Sequence, residues 1–179
     1  MAEVQTDRLL LREFRNSDVD PLYEIQGNRH HMRFTFWAES RAVCDSWLRR
    51  YASSREVNGF APWTIVHRSE GRVIGWGGLS IDPNLSGWGT EVSYFIHPSY
   101  EGQGFATEVV RASLRHGFGD LALRRIAAFA KPDNKASANV LKRCSFKFLR
   151  YEPALERDHY EVQRQDWTDA ARCACRGPA

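Results

Sequence analysis

The chain has 179 residues, 42% hydrophobic and 26% charged, the proportions of one ordinary globular domain with enough apolar material for a real core. A formal net charge of +3 is too small and too dispersed to argue for nucleic acid, and runs such as Arg49-Arg50 and Arg124-Arg125 read as solvated faces. The opening residues carry no apolar leader and no stretch approaches membrane-spanning length, so a cytoplasmic protein with no membrane partner is expected.

In chain order, residues 9–14 read as a first strand. Asn16-Ser17-Asp18 offers capping side chains for a helix carrying Val19, Leu22, Tyr23 and Ile25. Glu39-Ser40 opens a second helix, with Val43, Trp47, Leu48 and Tyr51 at three-to-four spacing. Two β-rich runs, 61–67 and 73–81, flank Arg68-Ser69-Glu70-Gly71-Arg72, a hairpin turn. A further turn at 82–87 leads into a strand over 90–96. Alternation there places Glu91, Ser93 and Phe95 on one face and Val92, Tyr94 and Ile96 on the other. An amphipathic run over 107–118, a strand over 125–130, a helix from Asn134 and closing strands, the last over 160–167, complete a mixed α/β order without internal repeats. Residues 1–168 are expected to form one domain and 169–179 a disordered tail.

Cys44 and Cys144 stand alone in helical patterns, as small buried hydrophobes do. Cys173 and Cys175 have no second ligand pair, and the adjacent His30-His31 has no partners nearby in sequence, so no metal site is expected.

Between the strand at 90–96 and the following helix lies His97-Pro98-Ser99-Tyr100-Glu101-Gly102-Gln103-Gly104-Phe105-Ala106-Thr107-Glu108. Two glycines in a strand-to-helix turn allow close backbone approach, and the helix start directs unpaired N–H groups at an anion, most naturally a pyrophosphate. A Walker loop would need a Lys-Ser/Thr pair where Phe105-Ala106 stands. A dinucleotide fingerprint would need a third small residue and an acidic end to the next strand, which closes on Ala130-Lys131. Taken alone, the Gly-x-Gly is equally consistent with a plain helix-opening turn.

With its surroundings, the strand, the glycine turn, the helix and then Asn134-Lys135-Ala136-Ser137-Ala138-Asn139-Val140-Leu141, the chain resembles the GNAT superfamily of acyl-CoA-dependent N-acyltransferases. Within it the chain is similar to the group that acetylates ribosomal-protein N-termini, from Thr6-Asp7-Arg8-Leu9 to the closing strand. The resemblance implies the GNAT fold, a mixed twisted sheet of about seven strands with helices on both faces. It also implies an N-acetyltransferase that uses acetyl-CoA as co-substrate and moves the acetyl group to a primary amine, a protein N-terminus or a small molecule, by direct transfer in a ternary complex. A homodimer is left open. The same fold would equally serve a non-catalytic acyl-CoA sensor or an enzyme using another acyl-CoA.

The glycine loop would hold the CoA through the backbone of Gly102, Gln103, Gly104, Phe105, Ala106 and Thr107, with the Thr107 hydroxyl adding a contact. By the resemblance, the strand edge near Ile96 pairs with the pantetheine and offers an N–H to the thioester oxygen, and Asn134 meets the pantetheine arm. Glu91 interrupts an apolar strand, where partial burial would raise its pKa toward a useful general-base range; a structural carboxylate at the strand mouth is the alternative. Ser137 is the lone hydroxyl on a helix face shared with Val140, Leu141 and Cys144. It either bonds back to a helix carbonyl or, as the resemblance implies, lies beside the CoA sulfur, where Val140 and Leu141 replace the tyrosine that many family members carry.

Two departures stand out. Glu101 puts a carboxylate near the expected phosphate, and Ser145 replaces the glycine that usually ends the last helix. The segment 27–37, basic and aromatic, matches the family's acceptor loop in position, although Phe34, Phe36 and Trp37 would equally close the core; Trp76 and Trp88 are open in the same way.

Overall fold

A computed structural model describes residues 3–83 and 86–167. The expected tail at 169–179, with Cys173 and Cys175, lies outside the described residues.

Among the described residues, eight strands form one sheet in the order β1-β2-β3-β4-β5-β6-β8-β7. They are β1 (Val4–Gln5), β2 (Leu9–Arg12), β3 (Trp63–His67), β4 (Arg72–Ser80), β5 (Glu91–Ile96), β6 (Arg125–Ala130), β7 (Lys147–Glu152) and β8 (Arg157–Gln163). The helices are α1 (Val19–Gln26), α2 (Arg41–Asn58), α3 (Phe105–Arg115) and α4 (Lys135–Arg143). The strand beyond the expected seven is β1, whose two residues are too few for an alternating pattern to register. The expected first strand stops at Arg12, and the last at Gln163, with a 3-10 turn over Arg164–Asp166. The amphipathic run begins earlier than read, at Phe105, and gives way after Arg115 to a π-helical turn over His116–Asp120.

Alternation decides which helices cover which face. Trp76 and Phe95 are cross-strand partners and pack with Leu22, Ile25, Cys44 and Leu48 of α1 and α2. Val92, Ile126, Tyr160 and Val162 point the other way, onto Val110 and Leu114 of α3 and Leu141 of α4. Leu9, Leu11, Ile65, Ile74 and Ile96 meet Phe105, Val109 and Ala112. Trp76 is therefore a core residue: only 3% exposed, it lies 4.6 Å from Trp47 and 5.2 Å from Tyr51 between ring centroids.

Ser40 caps α2, its Oγ accepting from the Val43 N–H at 3.3 Å. Asp18, read as a cap for the first helix, has another task. Its carboxylate accepts from both Arg12 guanidinium nitrogens at 2.7 Å, from the Arg15 N–H and from the Thr64 hydroxyl, so the buried charge is fully bonded. At the end of α4, Ser145 takes the left-handed conformation at φ 68°. The Phe146 N–H reaches the Leu141 carbonyl and the Ser145 N–H that of Lys142, a Schellman ending built on serine instead of glycine.

Candidate active site

Among the described residues β5 and β6 are the one parallel pair in the sheet, joined by the crossover through α3. Among the described residues, Glu91 and Ala127 are their only registered pair, sealed by the Ala127 N–H to the Thr90 carbonyl at 3.0 Å. On its other side β5 is paired with β4 along its whole length, from Ser80↔Glu91 to Gly75↔Ile96. Thr90 turns its carbonyl toward β6 and His97 its N–H toward Ile74 of β4, so the backbone groups of residues 92, 94 and 96 face the β6 side. Past the Glu91 rung the two strands splay, leaving a row of backbone donors and acceptors in a cleft through the sheet. Such a row is what an extended amide-bearing chain pairs with.

The glycine loop lies at the far end of β5. Gly102 (φ 73°) and Gly104 (φ 86°) both occupy the left-handed region, which tolerates L side chains poorly. The first backbone bond of α3 runs from the Glu108 N–H to the Gly104 carbonyl, so the amides of Phe105, Ala106 and Thr107 precede the ladder. The Gln103 side chain turns away, its amide donating to the Ser99 carbonyl at 3.0 Å. Glu101 is exposed, with a carboxylate oxygen 3.5 Å from His31 Nδ1. His31 Nε2 in turn donates to the Ile96 carbonyl at 2.8 Å. His31 thus pins the 27–37 segment to the end of β5.

The two faces of the splay carry different chemistry. On the α1/α2 side the cross-strand registers align Glu91, Ala127, Phe129, His159 and Arg157 on one face. Burial pushes the Glu91 carboxyl up to about 7, with the Asp82 charge adding to the rise and Arg157 opposing it. Arg157 donates to the Phe34 carbonyl at 3.0 Å, tying the 27–37 segment to β8. Trp88 meets Phe129 and His159 edge-on at 5.4 and 5.6 Å and forms an aromatic wall here. Phe36 and Trp37 are both part-exposed; Phe36 stacks on Trp47 at 5.5 Å, and the Trp37 indole donates to the Gly27 carbonyl.

On the α3/α4 side the Tyr94 hydroxyl lies 3.1 Å from Ser137 Oγ. Burial raises the Tyr94 phenol to about 12, so it stays protonated and can donate. The Ser137 hydroxyl points at this phenol, and Asn134 Oδ1 accepts the Ser137 N–H at 3.1 Å as the cap of α4. The expected pantetheine contact of Asn134 is thereby left to its amide nitrogen. Cys144 is buried on the same helix face, its thiol raised by burial and set against the Thr107 carbonyl at 3.9 Å. Tyr94 is the residue that sequence reasoning passed over. Its alternation already placed it opposite Glu91, but only the packing of α4 against β5 shows what it meets.

A strand splayed beside a glycine turn, with a raised carboxyl on one face and a hydroxyl pair on the other, offers an extended ligand both a backbone edge and groups able to move protons. The GNAT acetyltransferase domain family matches residues 8–147, and the chain belongs to that family. It is similar to the uncharacterized N-acetyltransferase YnaD of Bacillus subtilis (strain 168), at 24% identity over 144 residues, covering 80% of this chain and 82% of that one. Among solved structures it resembles the ribosomal-protein-S5-alanine acetyltransferase of Vibrio fischeri, at TM-score 0.74 and 17% identity, covering 94% of this chain and all of that one. It also resembles Mycobacterium smegmatis RimJ in complex with CoA-disulfide, at TM-score 0.75 and 19% identity, with 91% and 85% covered.

Proposed function

We propose that this protein transfers the acetyl group of acetyl-CoA directly to a primary amine bound on the Glu91 face of the splay. The observation that carries the reading is the single Glu91–Ala127 rung among the described residues, beyond which the β5 backbone is no longer paired with β6, between the raised carboxyl and the Tyr94–Ser137 pair. Family membership and the RimJ structure with CoA-disulfide support an acyl-CoA in that cleft.

Acetyl-CoA supplies the activated acetyl thioester. The backbone amides of Gly102, Gly104, Phe105, Ala106 and Thr107 hold its diphosphate, and the β5 edge receives the pantetheine amides. The Ile96 N–H, on the open side of β5, is the donor for charge developing on the thioester oxygen; fixed donors of this kind are commonly the largest catalytic term. Glu91 takes the ammonium proton at neutral pH, directly or through water, because a carboxyl near 7 matches that exchange. On the opposite face Tyr94 and Ser137 form a two-hydroxyl relay that donates toward the departing sulfur. Base and acid are thus separated by the sheet itself, and amine and thioester meet in the opening between them.

The acceptor is an amine small or extended enough to enter between the 27–37 segment and the aromatic wall of Trp88, Phe129 and His159. An N-terminal peptide fits this description, as does a small-molecule amine. A turnover screen with acetyl-CoA over N-terminal peptides, polyamines, amino acids and aminoglycosides decides the class. CoA binding without acetylation of any of them would replace the enzyme by an acyl-CoA sensor of the same fold.

A further inference from the structure

An anion site at the start of α3 carries an electrostatic conflict. Glu108 lies in the first turn of that helix, a carboxylate where a diphosphate needs positive potential. The opening segment of the chain resolves it. Glu108 accepts from the Thr6 hydroxyl at 2.5 Å and the Arg8 N–H at 2.9 Å, and from the Arg8 guanidinium at 2.9 Å through Nε and 2.8 Å through Nη2. Burial alone would raise the Glu108 carboxyl, but these bonds hold it below its ordinary value.

Arg8 does not stop at the carboxylate. Its Nη1 donates to the Gln103 carbonyl at 2.9 Å, and its guanidinium lies 4.2 Å from the centre of the Phe105 ring. Its Nη2 would lie 3.5 Å from a Cβ added to Gly104. One planar cation therefore contacts the loop residues on either side of Gly104, and borders the space a side chain there would enter, while anchored to the helix behind them. It claims the Gln103 carbonyl, an acceptor that would repel phosphate if turned outward, and 45% of its side chain stays exposed beside the loop.

We infer that Arg8, held by Thr6 and Glu108, is a positioning residue of the acyl-CoA site, fixing the backbone of residues 103–105 so that the amides ahead of α3 face the diphosphate. The inference rests on the acyl-CoA reading of the loop given above. A lysine cannot substitute, because a single ammonium lacks the planar fork needed to hold the Glu108 carboxylate and the Gln103 carbonyl at once.

The test is calorimetric titration of CoA into the full-length protein and its Arg8→Lys and Arg8→Gln variants, with thermal unfolding confirming that each is folded. Loss of a charge-assisted bond of this kind is expected to weaken CoA binding about tenfold or more in both variants. The KM for acetyl-CoA should rise with it, while kcat at saturating acetyl-CoA stays within about twofold of wild type. Arg8→Lys should keep the salt dependence of binding despite its weaker affinity, which separates geometry from charge. Native affinity in a folded Arg8→Lys protein would overturn the inference, as would a kcat that falls with KM unchanged. If Arg8→Gln does not fold, the lysine variant alone decides. A wild-type protein that fails to bind CoA would instead remove the phosphate-loop reading, a result separate from any effect of Arg8.

Discussion

The hydroxyls of Tyr94 on β5 and Ser137 on α4 stand 3.1 Å apart although 43 residues separate them in the chain. If this pair delivers the proton to the leaving sulfur, Tyr94→Phe and Ser137→Ala should each lower kcat by about 10²-fold, the lower end of general-acid contributions. The KM for acetyl-CoA should change little. The double variant should be hardly slower than the worse single one, because members of one relay are not additive. Near-native turnover in Tyr94→Phe would return the phenol to a packing role.

Why Tyr94 and its meeting with Ser137 escaped sequence reasoning, while Glu91 and Ser137 themselves did not, is a matter of range. A carboxylate inside the run Glu91-Val92-Ser93-Tyr94-Phe95-Ile96 is conspicuous locally, and strand alternation alone assigns its face. The glycine loop and the capping serine of α2 are local signals too, and both were readable. The meeting of Tyr94 with Ser137 depends on how α4 crosses the sheet, and the splay depends on which backbone groups of β5 and β6 stay apart. No residue type encodes either. Arg8 sits in an ordinary-looking turn, and its partners Gln103 and Glu108 are 95 and 100 residues away.

If Glu91 is the base, Glu91→Gln keeps the shape of the side chain and removes that function. At neutral pH the turnover number should drop by roughly 10²–10⁴, with acetyl-CoA affinity near that of wild type. In the native enzyme kcat/KM should fall as pH drops below about 7, where Glu91 protonates. The variant should lose that limb and recover partly at high pH, since an α-amine with a pKa of about 8 then deprotonates unaided. A steady-state pH profile of both proteins checks this.

The same residue should leave a mark on stability. A carboxyl raised from 4.5 to about 7 by burial stabilises the fold fully only below 4.5, and that contribution is lost as pH rises through 7. Glu91→Gln should therefore be more stable than wild type at pH 8, by up to about 3 kcal/mol from the linkage relation, with the gap closing toward pH 5. Urea unfolding at the two pH values reads the difference. An unchanged gap would mean that Glu91 is well solvated.

Gly104→Val should abolish or severely weaken CoA binding while leaving most of the fold intact. The backbone there holds φ 86°, and a β-branched residue would abandon that conformation, taking the loop amides with it. Calorimetry with CoA on the folded variant is the measurement; wild-type affinity would sink the loop assignment.

Ser145→Gly should stabilise the protein by about 1 kcal/mol, because the left-handed site that ends α4 is one that glycine occupies without strain. For a chain of this size that corresponds to a rise of about 2–4 °C in Tm. Since Ser145 lies at the helix end remote from Ser137, kcat should be unchanged.

The lone rung between β5 and β6 also bears on how the molecule comes apart. β1 to β5 form one antiparallel ladder and β6, β8 and β7 another, and in hydrogen-bonding terms the two blades share little more than the Glu91–Ala127 contact. What joins them is side chains: Leu79 and Val92 from one blade and Ile126, Tyr160 and Val162 from the other, gathered under α3 and α4. Each blade can loosen without breaking the other's ladder, so native-state hydrogen exchange should sort the strand amides into two protection classes divided at that rung. An occupant paired along the free edge of β5 would act as the missing strand and merge the two classes into one cooperative unit.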